Sequence, residues 1–278
     1  MSKSPKPAAK IEQSAPATAV VAEAPIDAVF CCDSRRMDMI PDGSVTLVIC
    51  SPPYNVRKPY DNHNDDLPLD DYLVLLAGVW RECRRVLREG GRICVNIAGC
   101  WRQPYLPLQH LIGSQLAELG FLMRGEIIWN KAASVGVSTA WGSFAKPSNP
   151  VLRDVHEYIL VFSKESFCLA NRNGEESKTK QNTSGISNAD FVEWTKSIWT
   201  FPSERAARVG HPAPFPLELP RRLIQLYSYP KDLILDPFMG SGTTCLAAKT
   251  LQRHYIGLDI DSGYVEIARK RLAQEQAK

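Results

Sequence analysis

The chain predicts an α/β fold, a mostly parallel twisted sheet with helices on both faces. Three features of the sequence carry this. Short apolar runs end at polar residues, stretches of helical period separate them, and strand and helix alternate along the chain. Asp27 to Cys32 is an apolar run ending at Asp33, and Ser44 to Cys50 is a second one ending at Ser51. Both read as buried strands. From Leu69 to Leu87, residues Tyr72, Leu73, Leu76, Val79, Trp80, Cys83, Val86 and Leu87 recur at helical spacing, and Gly90-Gly91 reads as the helix stop. Arg92 to Ile97 is the next strand. Leu108 to Leu119 repeats the helical pattern with Gly120 as its stop; Phe121 to Trp129 and Val155 to Phe162 are strand-like. After Leu217 to Tyr227, a helix, and Leu233 to Leu235, a strand, a last unit places a helix at Cys245 to Thr250, a strand at Tyr255 to Leu258 and a helix at Tyr264 to Ala273.

Composition bounds the rest. The 278 residues allow one large domain or two small ones, and 44% hydrophobic with 23% charged residues is an ordinary globular balance. The Pro-, Ala- and Lys-rich residues 1–25 lack the apolar core of a secretory signal and read as a disordered tail, leaving 26–278 as one catalytic domain. No apolar run approaches the roughly 20 residues of a membrane-spanning helix, so a cytoplasmic protein with no membrane partner is expected. The net charge of +3 demands that any nucleic-acid-binding face be a local patch. Eight cysteines without a CxxC pair read as buried reduced thiols, and no metal site is expected. Two stretches break the rhythm: Lys131 to Arg153, and the polar Asn171 to Asn188. Loops of that length are usually functional or disordered.

The strongest local chemistry lies near the C-terminus. A strand runs into Asp236-Pro237-Phe238-Met239-Gly240-Ser241-Gly242-Thr243-Thr244, a helix follows, and the next strand ends at Asp259, 19 residues after Gly240. Gly240 and Gly242 permit a tight turn, the helix offers free N–H groups to an anion, and an acid about 20 residues on suits ribose hydroxyls. A phosphate-cradling loop needs Gly-Lys-Ser/Thr, absent here; a dinucleotide site needs a third glycine where Cys245 stands. A glycine turn without ligand also has this form. S-adenosyl-L-methionine fits best, because its carboxylate can meet the helix N-terminus without a pyrophosphate.

Ser51-Pro52-Pro53-Tyr54 follows the second strand, at the carboxyl end of the sheet where open α/β folds bind ligands. The prolines stiffen the turn and remove two donors, leaving carbonyl acceptors beside an aromatic ring. That combination suits a planar, amino-bearing base, although a rigid loop with a half-buried tyrosine would look the same.

Together with His-Pro-Ala-Pro-Phe-Pro at 211–216, Ser51 to Tyr54 and Asp236 to Thr244 make the chain resemble the DNA methyltransferases that modify exocyclic amino groups. Arg85-Val86-Leu87, Gly90-Gly91-Arg92 and Asn96 are similar to that family's text as well, and the order, catalytic motif first and cofactor loop last, is that of its β class. The resemblance spans roughly residues 27 to 273. It implies a Rossmann-like methyltransferase domain with circularly permuted motifs, S-adenosyl-L-methionine as cofactor, and double-stranded DNA as partner. It also implies in-line transfer to a flipped base, with Ser51 Oγ and the Pro52 carbonyl orienting the amine and Tyr54 stacking on the ring. Serine at position 51 is typical of N4-cytosine enzymes, so cytosine N4 is the expected target; adenine N6 is the alternative within the family, and RNA methylation or binding without catalysis are the alternatives outside it. Asp33 resembles the acid that meets the adenine amino group, though it also reads as a helix cap. His211, Pro212 and Phe215 match the motif that closes over the methionine portion, beside Asp236, Phe238, Gly240, Ser241, Gly242, Thr243 and Asp259. Arg57, Lys58, Lys131, Trp141, Lys146, Arg205 and Arg208 are the expected DNA contacts, with target recognition assigned to loops at about 131–153 and 165–208. A cognate restriction endonuclease and a monomeric or homodimeric state are left open. Cys50, at the end of an apolar strand, reads as core, not as a nucleophile.

Overall fold

The computed structural model describes residues 24–56, 65–100, 104–131, 142–169, 185–204 and 215–274. Eight strands form one sheet: β1 (Ala28–Cys31), β2 (Val45–Cys50), β3 (Leu87–Ile97), β4 (Phe121–Asn130), β5 (His156–Lys164), β6 (Ile198–Thr200), β7 (Leu233–Asp236) and β8 (His254–Asp259). Their order is β1-β8-β7-β2-β3-β5-β4-β6. Five of the seven pairings are parallel; β3–β5 and β5–β4 are antiparallel.

The helices are α1 (Leu69–Val86), α2 (Leu108–Glu118), α3 (Asn188–Trp194), α4 (Glu218–Tyr227), α5 (Thr243–Thr250) and α6 (Ser262–Gln274). Because strand side chains alternate between faces, Val48 and Cys50 of β2 join one core cluster and Leu47 and Ile49 the other. The first cluster holds Tyr72, Leu76, Val79 and Trp80 of α1 with Leu108, Ile112 and Leu116 of α2. The second holds Leu219 and Leu223 of α4, Cys245 and Ala248 of α5, and Val265 and Ala268 of α6. Helices therefore cover both faces. No helix among the described residues is long and apolar enough to cross a membrane.

The unit β2–α1–β3 proceeds one way along the sheet and β7–α5–β8 the other, with their helices on opposite faces. The chain reversal between neighbours β2 and β7 is a topological switch point, where the loops after the two strands part and leave a crevice at their carboxyl ends.

Three expectations are corrected. Gly90-Gly91 does not stop α1, which ends at Val86 because Leu87 is already extended (φ −66°, ψ 135°); the glycines lie inside β3, where its register against β2 shifts. Gly90 has φ +69°, and a Cβ there would lie 1.9 Å from the Cys168 carbonyl oxygen. The pair serves a close approach of two backbones. The region 165–208 is also not wholly irregular: α3 is capped by Ser187, whose hydroxyl accepts from the Asp190 amide at 3.0 Å, and β6 pairs in parallel with β4. Finally, Cys50, Cys83, Cys94, Cys100 and Cys245 are buried as expected, but Cys31 and Cys168 are exposed.

Gly43 provides a control for Gly90: its φ is +65°, but nothing lies within 4 Å of an added Cβ. Gly43→Ala is expected to cost about 1–2 kcal/mol, the strain of a left-handed residue bearing a Cβ. Gly90→Ala should cost about 1–3 kcal/mol more, because it forces atoms into filled space. Urea unfolding of both variants checks the difference; equal losses would mean that the Cys168 contact carries no weight.

Candidate active site

β2 is buried along its whole length, so the first residues able to meet a ligand are those just past it, Ser51 to Tyr54. Their conformation is fixed from several sides. Tyr72 Oη of α1 donates to the Pro53 carbonyl at 2.8 Å, and Cys100 Sγ donates to the Tyr54 carbonyl at 3.3 Å. Asn55 takes the left-handed conformation (φ +56°) that Asn tolerates. The buried Asp65 carboxylate accepts from the amides of Asn55 at 2.8 Å and Val56 at 2.9 Å. The Asn55 side chain closes the loop against Leu67 through both its amide nitrogen (2.8 Å) and its oxygen (2.7 Å). The two proline carbonyls, both expected as acceptors beside the ring, are therefore not equivalent: Tyr72 occupies that of Pro53, leaving that of Pro52 beside Ser51.

Behind this loop runs a polar chain. Ser51 Oγ donates to Tyr54 Oη at 3.2 Å, and Tyr54 Oη donates to Glu157 Oε2 at 3.0 Å. Asn96 Nδ2 donates to Tyr54 Oη at 3.2 Å and to Glu157 Oε2 at 2.5 Å. Lys131 Nζ pairs with Glu157 Oε1 at 2.6 Å, and both side chains are largely buried. Burial, and next the Glu157 charge, push the Tyr54 phenol well above its ordinary range, so it stays protonated. Lys131, expected to contact DNA, is therefore engaged inside the site. Glu157 was not singled out from sequence; its signal was a carboxylate leading directly into the apolar run Tyr158 to Phe162, where a buried charge is costly unless paired.

The second loop follows β7. Asp236 is buried and its Oδ1 accepts from the Phe238 amide at 3.0 Å. Met239 N donates to the Leu258 carbonyl at 3.0 Å, and Gly240 N donates to Asp259 Oδ2 at 2.9 Å. Gly240 (φ +48°) and Gly242 (φ +79°) supply the turn, and a Cβ on Gly242 would lie 2.9 Å from Ala268 Cβ of α6. Two further residues, absent from the sequence reading, hold this loop. Ser34 Oγ donates to the Pro237 carbonyl at 2.6 Å. Arg271 of α6 donates to the Ser241 carbonyl at 2.6 Å, to Ser241 Oγ at 2.9 Å and to Thr243 Oγ1 at 3.2 Å. The Ser241 and Thr243 hydroxyls are thus turned to α6.

Asp259, at the end of β8, is half-buried; burial raises its pKa against the opposing pull of backbone amides. Its Oδ1 accepts from Asp261 N at 2.9 Å. A carboxylate has about four acceptor positions, so the amides of Gly240, Ile260 and Asp261 still leave room for a hydroxyl donor. Asp33 lies past the end of β1, beside β8, and its carboxylate is held by Arg35 Nε at 3.0 and 2.9 Å and by the Arg35 amide at 2.9 Å. The Arg35 side chain lowers its pKa. An exposed pair of this kind is worth about 0–1 kcal/mol. Phe238 is half-buried with its ring edge-on to Trp80 at 6.1 Å, and Phe215 packs on the second core cluster. Lys146 is exposed in the turn closed by the Gly142–Pro150 bridge. Arg57, Lys58, Trp141, Arg205, Arg208, His211 and Pro212 lie outside the described residues.

The two loops meet because their strands are neighbours: Leu47 pairs with Ile234 and Val48 with Leu235. Ser51 and the turn that begins at Asp236 therefore leave adjacent strands at the same edge. Burial raises the Asp236 pKa to about 7. The folded protein then keeps a proton that the unfolded chain releases near pH 4, so stability from this group is greatest below pH 4 and is lost as pH rises toward 7. Asp236→Asn should flatten the fall in unfolding free energy between about pH 4 and 7; parallel pH profiles for variant and wild type would refute the burial argument.

The profile of the N6/N4 DNA methylase family matches residues 45–270. The type II methyltransferase M.MjaI of Methanocaldococcus jannaschii is 30% identical over 88% of this chain and 91% of its own. A DNA modification methylase of Thermus thermophilus, solved in complex with S-adenosyl-L-methionine, has a TM-score of 0.68 at 29% identity, covering 89% of this chain and 95% of that one. The cytosine-N4-specific PvuII DNA methyltransferase, 20% identical with a TM-score of 0.65 over 87% of this chain and 85% of that one, shares the fold. With its motif loops on adjacent strands at the switch point and four-fifths of its length matched, the chain belongs to the N6/N4 DNA methylase family.

Proposed function

We propose that the protein transfers a methyl group from S-adenosyl-L-methionine to the N4 amine of a cytosine flipped out of double-stranded DNA. The observation that carries this is the placement of Ser51 and the Pro52 carbonyl one strand away from the glycine turn at 240–242.

The residues of the second loop fit the cofactor. Asp259 keeps acceptor room for a ribose hydroxyl, the half-buried Phe238 ring offers an apolar surface, and left-handed Gly240 lets a ligand approach the backbone. No side chain caps α5, so a carboxylate has the partial positive charge of that helix N-terminus to meet. The related Thermus thermophilus methylase, similar over 89% of this chain, was solved with S-adenosyl-L-methionine, which supports the same ligand here. Bound there, the cofactor supplies an electrophilic methyl group.

An exocyclic amine is a poor nucleophile because its lone pair is delocalised into the ring. Two acceptors on its hydrogens, Ser51 Oγ and the Pro52 carbonyl, draw the nitrogen toward a pyramidal geometry and localise that pair. The loop is fixed by Tyr72, Cys100 and Asp65 before any base arrives, so little reorganisation is needed on binding. Flipping a base out of the duplex costs a few kcal/mol. The Tyr54 ring, its hydroxyl anchored on Glu157, is a preset platform whose stacking returns about 1–3 kcal/mol. Serine at 51, where the adenine-directed sequences carry Asp or Asn, favours cytosine. Lys146, exposed within the 131–153 stretch, is a candidate DNA contact in this reading.

Nucleoside analysis of DNA treated with enzyme and labelled cofactor should yield N4-methylcytosine; N6-methyladenine as the product would contradict the choice of base. Ser51→Ala should lower turnover by about 10²-fold, comparable to deleting one preorganised hydrogen-bonding group, with cofactor affinity unchanged. Asp259→Ala should instead weaken cofactor binding by about tenfold or more, roughly one charge-assisted hydrogen bond. Calorimetric titration with the cofactor separates the two; an unaltered Kd in Asp259→Ala would remove its ribose role.

A further inference from the structure

We propose that Glu157 is a positioning residue for methyl transfer: it sets the direction of the hydrogen-bond chain through Tyr54 and so makes Ser51 an acceptor toward the substrate amine. The inference rests on the reading under Proposed function and adds a residue to it.

Counting donors gives the chain its direction. A hydroxyl has one proton to give and two lone pairs. Glu157, paired with the Lys131 ammonium, can only accept, and its Oε2 takes the Tyr54 proton at 3.0 Å. Tyr54 Oη, having given its one proton away, is then an acceptor for Asn96 Nδ2 and for Ser51 Oγ, each at 3.2 Å. Ser51 in turn spends its only proton on Tyr54. Both of its lone pairs are left for an incoming N–H. Were the chain reversed, Tyr54 would donate to Ser51, and the serine proton would point into the cleft against the amine hydrogens. A buried chain of this kind polarises along its length, so the carboxylate acts on a group that it does not touch.

Lys131 makes the direction sensitive to one atom. In Glu157→Gln the shape is kept, but an ammonium has donors alone, so the new amide oxygen must turn to Lys131 and its NH₂ to Tyr54, where it also faces the Asn96 Nδ2 donor. Tyr54 loses its acceptor and the chain runs backwards.

Single-turnover methyl transfer at saturating cofactor tests this in four proteins: wild type, Glu157→Gln, Ser51→Ala and the double variant. Glu157→Gln should lower the rate by about 10²-fold, the scale of one preorganised hydrogen-bonding group, with the KM values for DNA and cofactor within about threefold of wild type. In the Ser51→Ala background the same substitution should change the rate by less than about threefold, since a residue acting only through Ser51 has nothing left to orient. Tyr54→Phe, which removes the link but keeps the ring, should reproduce the same non-additivity, and it carries the test should Glu157→Gln fail to fold. A wild-type rate in Glu157→Gln, or losses that multiply in the double variant, would overturn the proposal. Product identity in the same reactions separates the two readings. N6-methyladenine with coupling intact would overturn the base and support the role of Glu157, whereas N4-methylcytosine without coupling would overturn the role of Glu157 alone.

Discussion

The parallel pairing of β2 with β7 is the constraint on which the site depends. Paired strands lie about 4.8 Å apart, so registering Val48 against Leu235 brings the loop after Cys50 beside the loop after Asp236, although the two are remote in sequence. Because α1 and α5 pack on opposite faces, the loops after β2 and β7 part above the pair. The crevice is a consequence of topology, and each loop needs only to be locally stiff for its groups to face the same space.

That stiffness comes from spending polar groups on neighbours. Several fixed points of the two loops are single side chains reaching in from another element: Tyr72 from α1, Asp65 from the segment before it, Ser34 from the turn after β1, Arg271 from α6. Each buried donor or acceptor left unmade would cost about 1–3 kcal/mol, so the loops have few other conformations available. The Lys131–Glu157 pair follows the same logic. A buried ion pair is weak support for stability, because desolvation offsets its attraction; its value here is that it gives a neutral hydroxyl chain a direction.

Most of the fold and both loops were legible in the sequence because their signals are local. Buried runs such as Val45 to Cys50 announce strands, the spacing of Tyr72, Leu76, Val79 and Cys83 announces a helix, and Gly240-Ser241-Gly242 announces a turn before another. What escaped is of two kinds. The three-residue β6 is exposed at Ile198 and Thr200 and buried only at Trp199, too short for any period to show, and Gly90-Gly91 looks like a helix stop until the backbone at Cys168 is seen against it. The polar ties are the second kind. Glu157 lies 103 residues from Tyr54, and Arg271 lies 30 from Ser241; no spacing rule relates such pairs, and only the assembled sheet does. Asp33 shows the limit of motif reasoning: the resemblance suggests an acid that meets the cofactor's adenine, yet its carboxylate is held by Arg35 two residues on.

In the proposed reaction one crevice between β2 and β7 holds both the base to be methylated and the methyl donor. The most direct test is a structure of the protein with cognate duplex DNA and a demethylated cofactor. The expected result is an extrahelical cytosine with N4 within about 3 Å of both Ser51 Oγ and the Pro52 carbonyl oxygen, hydrogen-bonding distance, and the nucleoside seated over the 238–242 turn with its ribose on Asp259. A base stacked within the duplex, or a cofactor bound away from that turn, would contradict it.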